Sequence, residues 1–371
     1  MENQNSVCYV AKINEIKTIV GADNIESVIV GGWNAITKKG DYKKGQLIVI
    51  ATTDAVIPSE LSETMGVTSY LRGGSRVRTV KLRGVYSECL IIPTTFLKST
   101  VISEGKDLMK ELDIFKYEPP VKQIQLSSGK TIKIRENTKF KVYHKFPNLK
   151  NVAGLFTEED EVEITRKVHG SNFRAGIVKK DKLSFLDKVK KFFRLADKRI
   201  DYEFVYGSHN VQKGSDTQGY YSTDVWKDTI DKYSIKEKLW DYFDFNEVGS
   251  GIIVYGEVYG KGIQKNYEYG LNEIRFAGFD VIVNGQYTDT EESKHIVIKN
   301  MGLPYVDILY RGNWKQEIQD SFVFNNFIEG TKVPHEGVVV KHISGNRNKV
   351  AKVINPDYLI FGEKNNVGDG H

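Results

Sequence analysis

Cysteine is nearly absent from this 371-residue sequence: only two occur, Cys8 and Cys89, with no Cys-x-x-Cys and no cluster of cysteine with histidine. A disulfide framework or a thiolate zinc site is therefore not expected. No apolar run approaches the roughly 18 residues that a membrane helix needs. The start, Met1-Glu2-Asn3-Gln4-Asn5, lacks the basic and apolar regions of a signal peptide, so an intracellular, reducing setting is expected. Strong charge imbalance is missing too. The net charge is +5, with 27% charged and 40% hydrophobic residues, which is an ordinary globular balance. Such mild basicity is compatible with a polyanionic partner without requiring one. What the chain has in quantity is aromatic side chains, 20 Tyr and 18 Phe, which serve cores as readily as bases. Its length calls for two domains, each large enough for its own core.

Helical periodicity is nearly missing from residues 7–95. Val28-Ile29-Val30 stops at Gly31-Gly32 and reads as a strand, as does Gln46 to Ile50; Lys39-Gly40-Asp41 and Gly73-Gly74 punctuate. Short strands with frequent turns predict a small barrel or sandwich, an OB-like barrel among the options. Arg76 to Arg83 is the most basic strand candidate there. It reads either as a phosphate contact or as a charged edge that resists aggregation. Residues from about 103 to 140 read as a connector, with a helical turn from Asp107 to Leu112 and a break at Glu118-Pro119-Pro120. The domain boundary is placed near 120–140.

From Phe140 onward the pattern becomes α+β with mostly antiparallel strands. Val162 and Ile164 alternate with Glu161 and Glu163, which predicts a half-buried strand ending near Lys167, with Gly170 supplying a turn. An insertion follows, Lys179 to Arg199. Its Leu183, Leu186, Val189 and Phe193 fall at helical spacing among Lys182, Lys188, Lys190, Lys191 and Arg194. This basic amphipathic helix reads as docked on the domain with a solvated basic face, or as a nucleic-acid or membrane contact. Further helices are predicted over Trp226–Phe243, from a Thr288/Glu291 capping box to Gly302, and over Glu317–Phe327. Strands are predicted at Ile252–Tyr255, Ile274–Val283, His335–Lys341 and Lys349–Ile354, with a tight hairpin at Asn284-Gly285.

Five signals stand in a fixed order: Lys167-x-x-Gly170, Gly256-Glu257, Phe279-Asp280, Glu336-Gly337 and Lys352. Each is weak alone. Together they resemble the motif series of the covalent nucleotidyltransferases, namely DNA ligases, RNA ligases and mRNA capping enzymes. Lys167-Val168-His169-Gly170-Ser171-Asn172-Phe173 is similar to the first motif of the RNA ligase 2 branch. DNA ligases and capping enzymes usually carry aspartate at the position of His169. The strand-rich segment ahead of this core resembles the type 5 RNA ligases. The resemblance thus implies an OB-like nucleic-acid-binding domain over 1–125 and an antiparallel-sheet nucleotidyltransferase (adenylation) domain over 126–371.

It also implies a function: an ATP-dependent RNA ligase joining 3′-OH and 5′-phosphate ends through lysyl-AMP and RNA-adenylate, in RNA repair, acting as a monomer on nicked duplex. Lys167 is then the nucleophile. Glu257 and Glu336 hold Mg²⁺ or Mn²⁺ and are catalytic with Lys352. Phe279 offers a face to adenine, the backbone at Arg166 reads the adenine edge, and Asn172 and Glu257 contact ribose. Gly170 belongs to the same nucleotide site, and Lys341 supplements the phosphate charge. The chemistry has its own logic. A free lysine has a pKa near ~10.4 and must lose its proton before it attacks, which neighbouring cations favour.

Two departures from the family pattern stand out. His209 occupies the position where an arginine is usual, and the last motif lacks Lys-x-Lys, since Lys349 and Lys352 are three apart. They keep alive another reading, a non-catalytic RNA-binding protein with a degenerate transferase fold. A DNA ligase or a capping-type enzyme is a further alternative. Lys150 is an upstream candidate for the triphosphate, and the N-terminal domain is expected to grip RNA through Arg76 to Arg83.

Overall fold

The computed structural model describes residues 6–98, 102–117, 136–193, 198–209, 211–215, 224–267 and 269–367. The predicted break at Glu118-Pro119-Pro120, and Arg194 of the insertion, lie outside them. The chain forms two compact units. The first comprises Met1–Lys122, Pro147–Thr157 and Ala351–Lys364; the second comprises Gln123–Phe146, Glu158–Val350 and Asn365–His371.

In the first unit the strands are β1 (Cys8–Thr18), β2 (Ile25–Val30), β3 (Trp33–Lys38), β4 (Leu47–Thr52), β5 (Ala55–Val56), β6 (Val80–Leu82), β7 (Val85–Ser87), β8 (Cys89–Ile92) and β9 (Phe115–Lys116), with helix α1 (Ser59–Thr64). Five of them form an antiparallel sheet in the order β3-β2-β1-β4-β8. Strand β1 is long because it serves two partners: Cys8–Lys12 pairs with β4, and Ile13–Thr18 pairs with β2. A bulge between Ile13 and Glu15 bends it at the changeover, which lets one sheet curl as an OB-fold requires. Strand β4 is apolar on both faces because both are covered. Val49 and Ala51 enter one core with Val10 and Ile92, while Ile48 and Ile50 enter another with Val28 and Trp33.

Both cysteines are buried free thiols. Burial, reinforced by Asp107, pushes the Cys8 thiol up to about 12. Neither thiol will therefore react with an aromatic disulfide reagent at pH 8 in the native protein, and both will react once urea unfolds it. Rapid labelling without denaturant would contradict this packing.

Arg76 to Arg83 departs from expectation. Only Val80–Leu82 is strand, and the charges are answered within the first unit. Arg76 is ion-paired with Asp54 at 2.5 Å and lies over the Tyr117 ring. Arg78 pairs with Glu363 at 3.0 Å and Lys81 with Asp357 at 3.5 Å. Those two carboxylates sit on a C-terminal helix, Pro356–Asn365, that the pattern analysis does not anticipate. Lys150 is likewise held by Glu88.

The second unit contains β10 (Glu161–Lys167), β11 (Ser171–Lys179), β12 (Tyr202–Gly207), β13 (Gln212–Ser215), β14 (Gly251–Gly260), β15 (Ile274–Val283), β16 (Gln286–Tyr287), β17 (Ile308–Asn313) and β18 (Gly337–His342). After these comes β19 (Val350–Ile354). Its helices are α2 (Phe185–Phe192), α3 (Val225–Tyr233), α4 (Ile235–Phe245), α5 (Thr290–Lys294) and α6 (Gln316–Ser321); the helix at Pro356 is α7. The second unit has two antiparallel sheets, a six-stranded one in the order β13-β12-β11-β14-β15-β16 and one in which β10 lies between β17 and β18. Helices α3 and α4 cover one face of the larger sheet, with Ile230, Ile235, Leu239 and Phe243 packed on Phe173, Phe204 and Val254.

Several boundaries shift for local reasons. The helix predicted over Trp226–Phe243 is two helices, because Ser234 adopts a left-handed conformation (φ 52°). The cap predicted at Thr288 is Asp289, whose carboxylate accepts the Glu292 N–H. The helix predicted to Phe327 ends at Ser321. Asn284 and Gly285, both at positive φ, make the expected hairpin turn.

Candidate active site

Strand β10 carries the opening geometry. Its pairing with β18 sets Lys167 opposite Gly337 and Glu163 opposite Lys341, so Glu163, Thr165 and Lys167 share a face with Lys341. That face looks toward the larger sheet, where Lys341 reaches Asp280 on β15. This explains why the strand is not half-buried: Glu163 is fully buried although its side chain is polar, as are Val162 and Ile164 on the other side. Neither Glu163 carboxylate oxygen has a hydrogen-bond partner, and burial raises its pKa against the pull of Lys341 and Arg311.

At the end of β10, Lys167 Nζ donates to Glu336 Oε1 at 2.5 Å. The other oxygen, Glu336 Oε2, is buried without a hydrogen-bond partner, with His169 Nδ1 at 3.8 Å. Glu257 belongs to the same cluster. Burial pushes its carboxyl up to about 8, with Lys167 lowering it and Glu336 raising it. Glu257 lies opposite Asn172 in the β11–β14 ladder, so their side chains share a face. The Asn172 carbonyl oxygen Oδ1 is also buried and unpartnered. The site thus holds one lysine, two carboxylates and two acceptor oxygens still open to a donor or a cation.

Gly170 is required here, though not for the turn that its position suggests. A Cβ would stand 2.3 Å from the Val258 carbonyl oxygen and 2.9 Å from Glu257 Cγ, so any side chain would push the two strands apart. His169 is a buried residue packed edge-on against Tyr267, with its backbone N–H donated to the Tyr269 hydroxyl at 2.6 Å. Tyr269 holds that hydroxyl in place from a left-handed backbone (φ 56°), a conformation that costs a bulky residue energy. Neither tyrosine is legible in the sequence as a site residue, because nothing in Lys265-Asn266-Tyr267 marks a loop that folds back on the first motif.

Phe279 is half-buried, its ring edge-on to Tyr143 at 5.0 Å, and its carbonyl accepts from Lys341 Nζ at 2.7 Å and the Tyr305 hydroxyl at 3.0 Å. Lys341 also pairs with Asp280 at 2.9 Å, and Arg347 joins the same carboxylate at 2.9 Å with the Tyr143 hydroxyl as third donor. Lys341 therefore serves Asp280 in this structure, where the resemblance had it adding charge for phosphate. The Arg166 N–H is engaged by the Asp307 carbonyl at 2.8 Å, and its guanidinium donates to the Phe322 carbonyl. Lys349 pairs with Asp160. Lys352 lies on β19 in the first unit, its N–H donated to Pro147 at 2.9 Å. His209 is half-buried and its pKa is lowered, by burial first and then by Lys145 and Arg174. The buried arginine near it is Arg174, which donates to the Ser208 carbonyl at 2.8 Å and the Phe140 carbonyl at 2.6 Å.

Among the described residues no three His, Cys, Asp or Glu side chains gather into a metal cluster. Glu336, with Oε2 open, and the Glu257 carboxylate beside it nevertheless fit a hard cation that completes its shell with substrate phosphates and water.

An OB-fold domain model matches residues 7–94, and a family model described as RNA ligase matches residues 160–354, more than half of the chain. The fold is an OB-fold domain followed by a sheet-rich RNA ligase domain. The chain belongs to the RNA ligase family. A solved structure of Naegleria gruberi RNA ligase with PPi is 23% identical, with a TM-score of 0.70 over 97% of this chain and 99% of that one. A mutant of the same enzyme with ATP and Mn is 22% identical (TM-score 0.70), covering 96% of this chain and 99% of that one. A further mutant with AMP and Mn is 23% identical (TM-score 0.70), with the same coverage. No curated protein gives a significant match.

Proposed function

We propose that this protein is an ATP-dependent RNA ligase that joins RNA 3′-OH and 5′-phosphate ends and so repairs broken RNA. The observation that carries the reading is the Lys167–Glu336 contact at 2.5 Å, beside Glu257, in a chain of the RNA ligase family. In the first step Lys167 Nζ attacks the α-phosphorus of ATP; an N–P bond forms, the bond to the bridging oxygen breaks, and pyrophosphate leaves. The ammonium proton must go first, and Glu336 Oε1 is the acceptor already in contact. In the second step the 5′-phosphate of RNA takes the AMP and Lys167 is released. In the third, an RNA 3′-hydroxyl attacks that activated phosphate, and AMP departs.

Glu257 and Glu336 are the residues that would hold Mg²⁺ or Mn²⁺. Such a cation would screen phosphate charge. Asn172 Oδ1, buried and unpartnered, is the acceptor for a ribose hydroxyl, and Phe279 offers its half-buried ring to adenine. With the Arg166 N–H engaged, the adenine edge is left to the rest of that backbone. Gly170 lets the nucleotide strand and β14 approach closely. Lys352 is assigned phosphate charge on motif order alone. Bound ATP, AMP, Mn and PPi in the Naegleria gruberi structures support ATP and a divalent cation as ligands here.

The reading is tested by incubating the protein with labelled ATP or GTP and Mg²⁺ or Mn²⁺, then with nicked duplexes. ATP will label the protein covalently and GTP will not. Nicks with an RNA 3′-hydroxyl end will be sealed, and all-DNA nicks will be sealed at least about tenfold more slowly, because an RNA-reading site left with unpaired 2′-hydroxyl partners loses about 1.4 kcal/mol or more. Equal rates on both would make it a DNA ligase, and GTP labelling a capping-type enzyme. No ATP turnover at all would leave an RNA-binding protein.

A further inference from the structure

The insertion between β11 and β12 presents its apolar side outward. Helix α2 is held by its polar side: Ser184 and Asp187 form a capping box, Asp187 pairs with Lys180 at 3.1 Å, and Lys191 pairs with Asp201 at 2.7 Å. The opposite side carries Phe185, Leu186, Phe192 and Phe193, which are 80%, 69%, 82% and 63% exposed. Helix α2 buries none of its residues, so the expectation of a docked helix is overturned. Alongside the rings, Lys182, Lys188 and Lys190 are exposed and take no part in the ion pairs of the described residues.

We propose that α2 is a docking surface for the RNA strand, its phenylalanines stacking on unpaired bases and its lysines neutralising phosphates. This rests on the reading that RNA is the substrate. Three observations favour RNA as the occupant. Charge is complementary, since the cations beside the rings lack acidic partners. Rings are the dominant exposed group, and base stacking on rings tolerates any sequence. Phe185 and Phe192 are seven residues apart, about 10 Å along the helix, the length of about three stacked bases at ~3.4 Å each. The other basic segment, Arg76 to Lys81, is already neutralised by Asp54, Glu363 and Asp357, so it has no comparable free charge to offer.

The experiment uses the full chain and fluorescence anisotropy with a labelled single-stranded RNA and a nicked RNA duplex. Phe192→Ser/Phe193→Ser will weaken RNA binding by about tenfold or more. Lys188→Gln/Lys190→Gln will lower the slope of log affinity against log salt by about 1 to 2. Both variants will keep wild-type circular dichroism and wild-type self-adenylylation, since the altered side chains are exposed and outside the nucleotide site. Unchanged RNA affinity in both variants overturns the proposal. If vesicles containing phosphatidylserine then lose binding, the face belongs to a lipid surface; if sedimentation shifts from dimer to monomer, it belongs to a second copy. A wild-type protein that binds RNA through α2 yet never self-adenylylates would sink the ligase reading and leave this one standing.

Discussion

Lys167→Ala and Lys167→Met will each abolish covalent AMP transfer, by about 10⁴-fold or more, while the protein folds and still binds ATP. The size of the effect follows from the chemistry. No neighbouring group can replace the amine that forms the N–P bond: the groups beside it are the Glu336 and Glu257 carboxylates, which would form labile mixed anhydrides. The readout is a labelled band after denaturing electrophoresis, with pyrophosphate release measured in parallel. Glu336 is freed of its lysine in both variants, so Lys167→Met, which keeps the aliphatic stem, controls for packing. Covalent labelling that survives in both variants would remove Lys167 from its role. Loss of labelling with sealing of pre-adenylylated RNA retained would place the lysine in the first step alone, as proposed.

Asp280→Asn will destabilise the protein by about 3–5 kcal/mol, the range for removing one partner of a buried ion pair. Asp280 is fully buried and answers two cations at once; Lys341, only 2% exposed, would be left facing the amide of asparagine. The pH dependence carries a definite sign. Burial raises the Asp280 pKa, but Lys341 and Arg347 outweigh it, and the net shift is downward from 3.8. A carboxylate with a depressed native pKa contributes stability that is present above its unfolded value and lost as pH falls through its native value. The gap between wild type and Asp280→Asn in urea unfolding will therefore be full at pH 6 and will narrow below about pH 3.8. Lys341→Met will cost less than Asp280→Asn because Arg347 and Tyr143 still hold the carboxylate. A variant as stable as wild type at pH 6 would contradict the ion-pair account. The network also bears on nucleotide binding, since Lys341 pins the Phe279 carbonyl and Phe279 is the proposed adenine platform.

Much of the fold was legible because its signals are local. The turn at Asn284-Gly285 and the β-branched runs of β2, β4 and β18 announce themselves within a few residues. Helix α2 was legible as a helix yet not in its placement, since periodicity identifies an apolar side without saying whether anything covers it. The α3–α4 break was hidden because Ser234 is neither glycine nor asparagine, the residues that usually mark a left-handed position.

The proposed nucleotide site divides along the same line. By itself the sequence determined the order Lys167, Glu257, Phe279, Glu336 and Lys352, and with it the family, because a chemistry that needs an amine, carboxylates and a ring leaves those residue types at recognisable spacings. It also determined that Gly170 matters. Only the tertiary structure decided why: the Val258 carbonyl of a neighbouring strand approaches too closely for a Cβ. Only the tertiary structure decided which charges are taken. Lys167 meets Glu336 169 residues away, and Lys341 meets Asp280 61 residues away. Arg76 is held by Asp54, 22 residues away. A charge reads the same in sequence whether free or paired. Pairing is set by strand register and sheet-to-sheet contact, which bring distant residues within hydrogen-bond reach, and no local pattern encodes that distance.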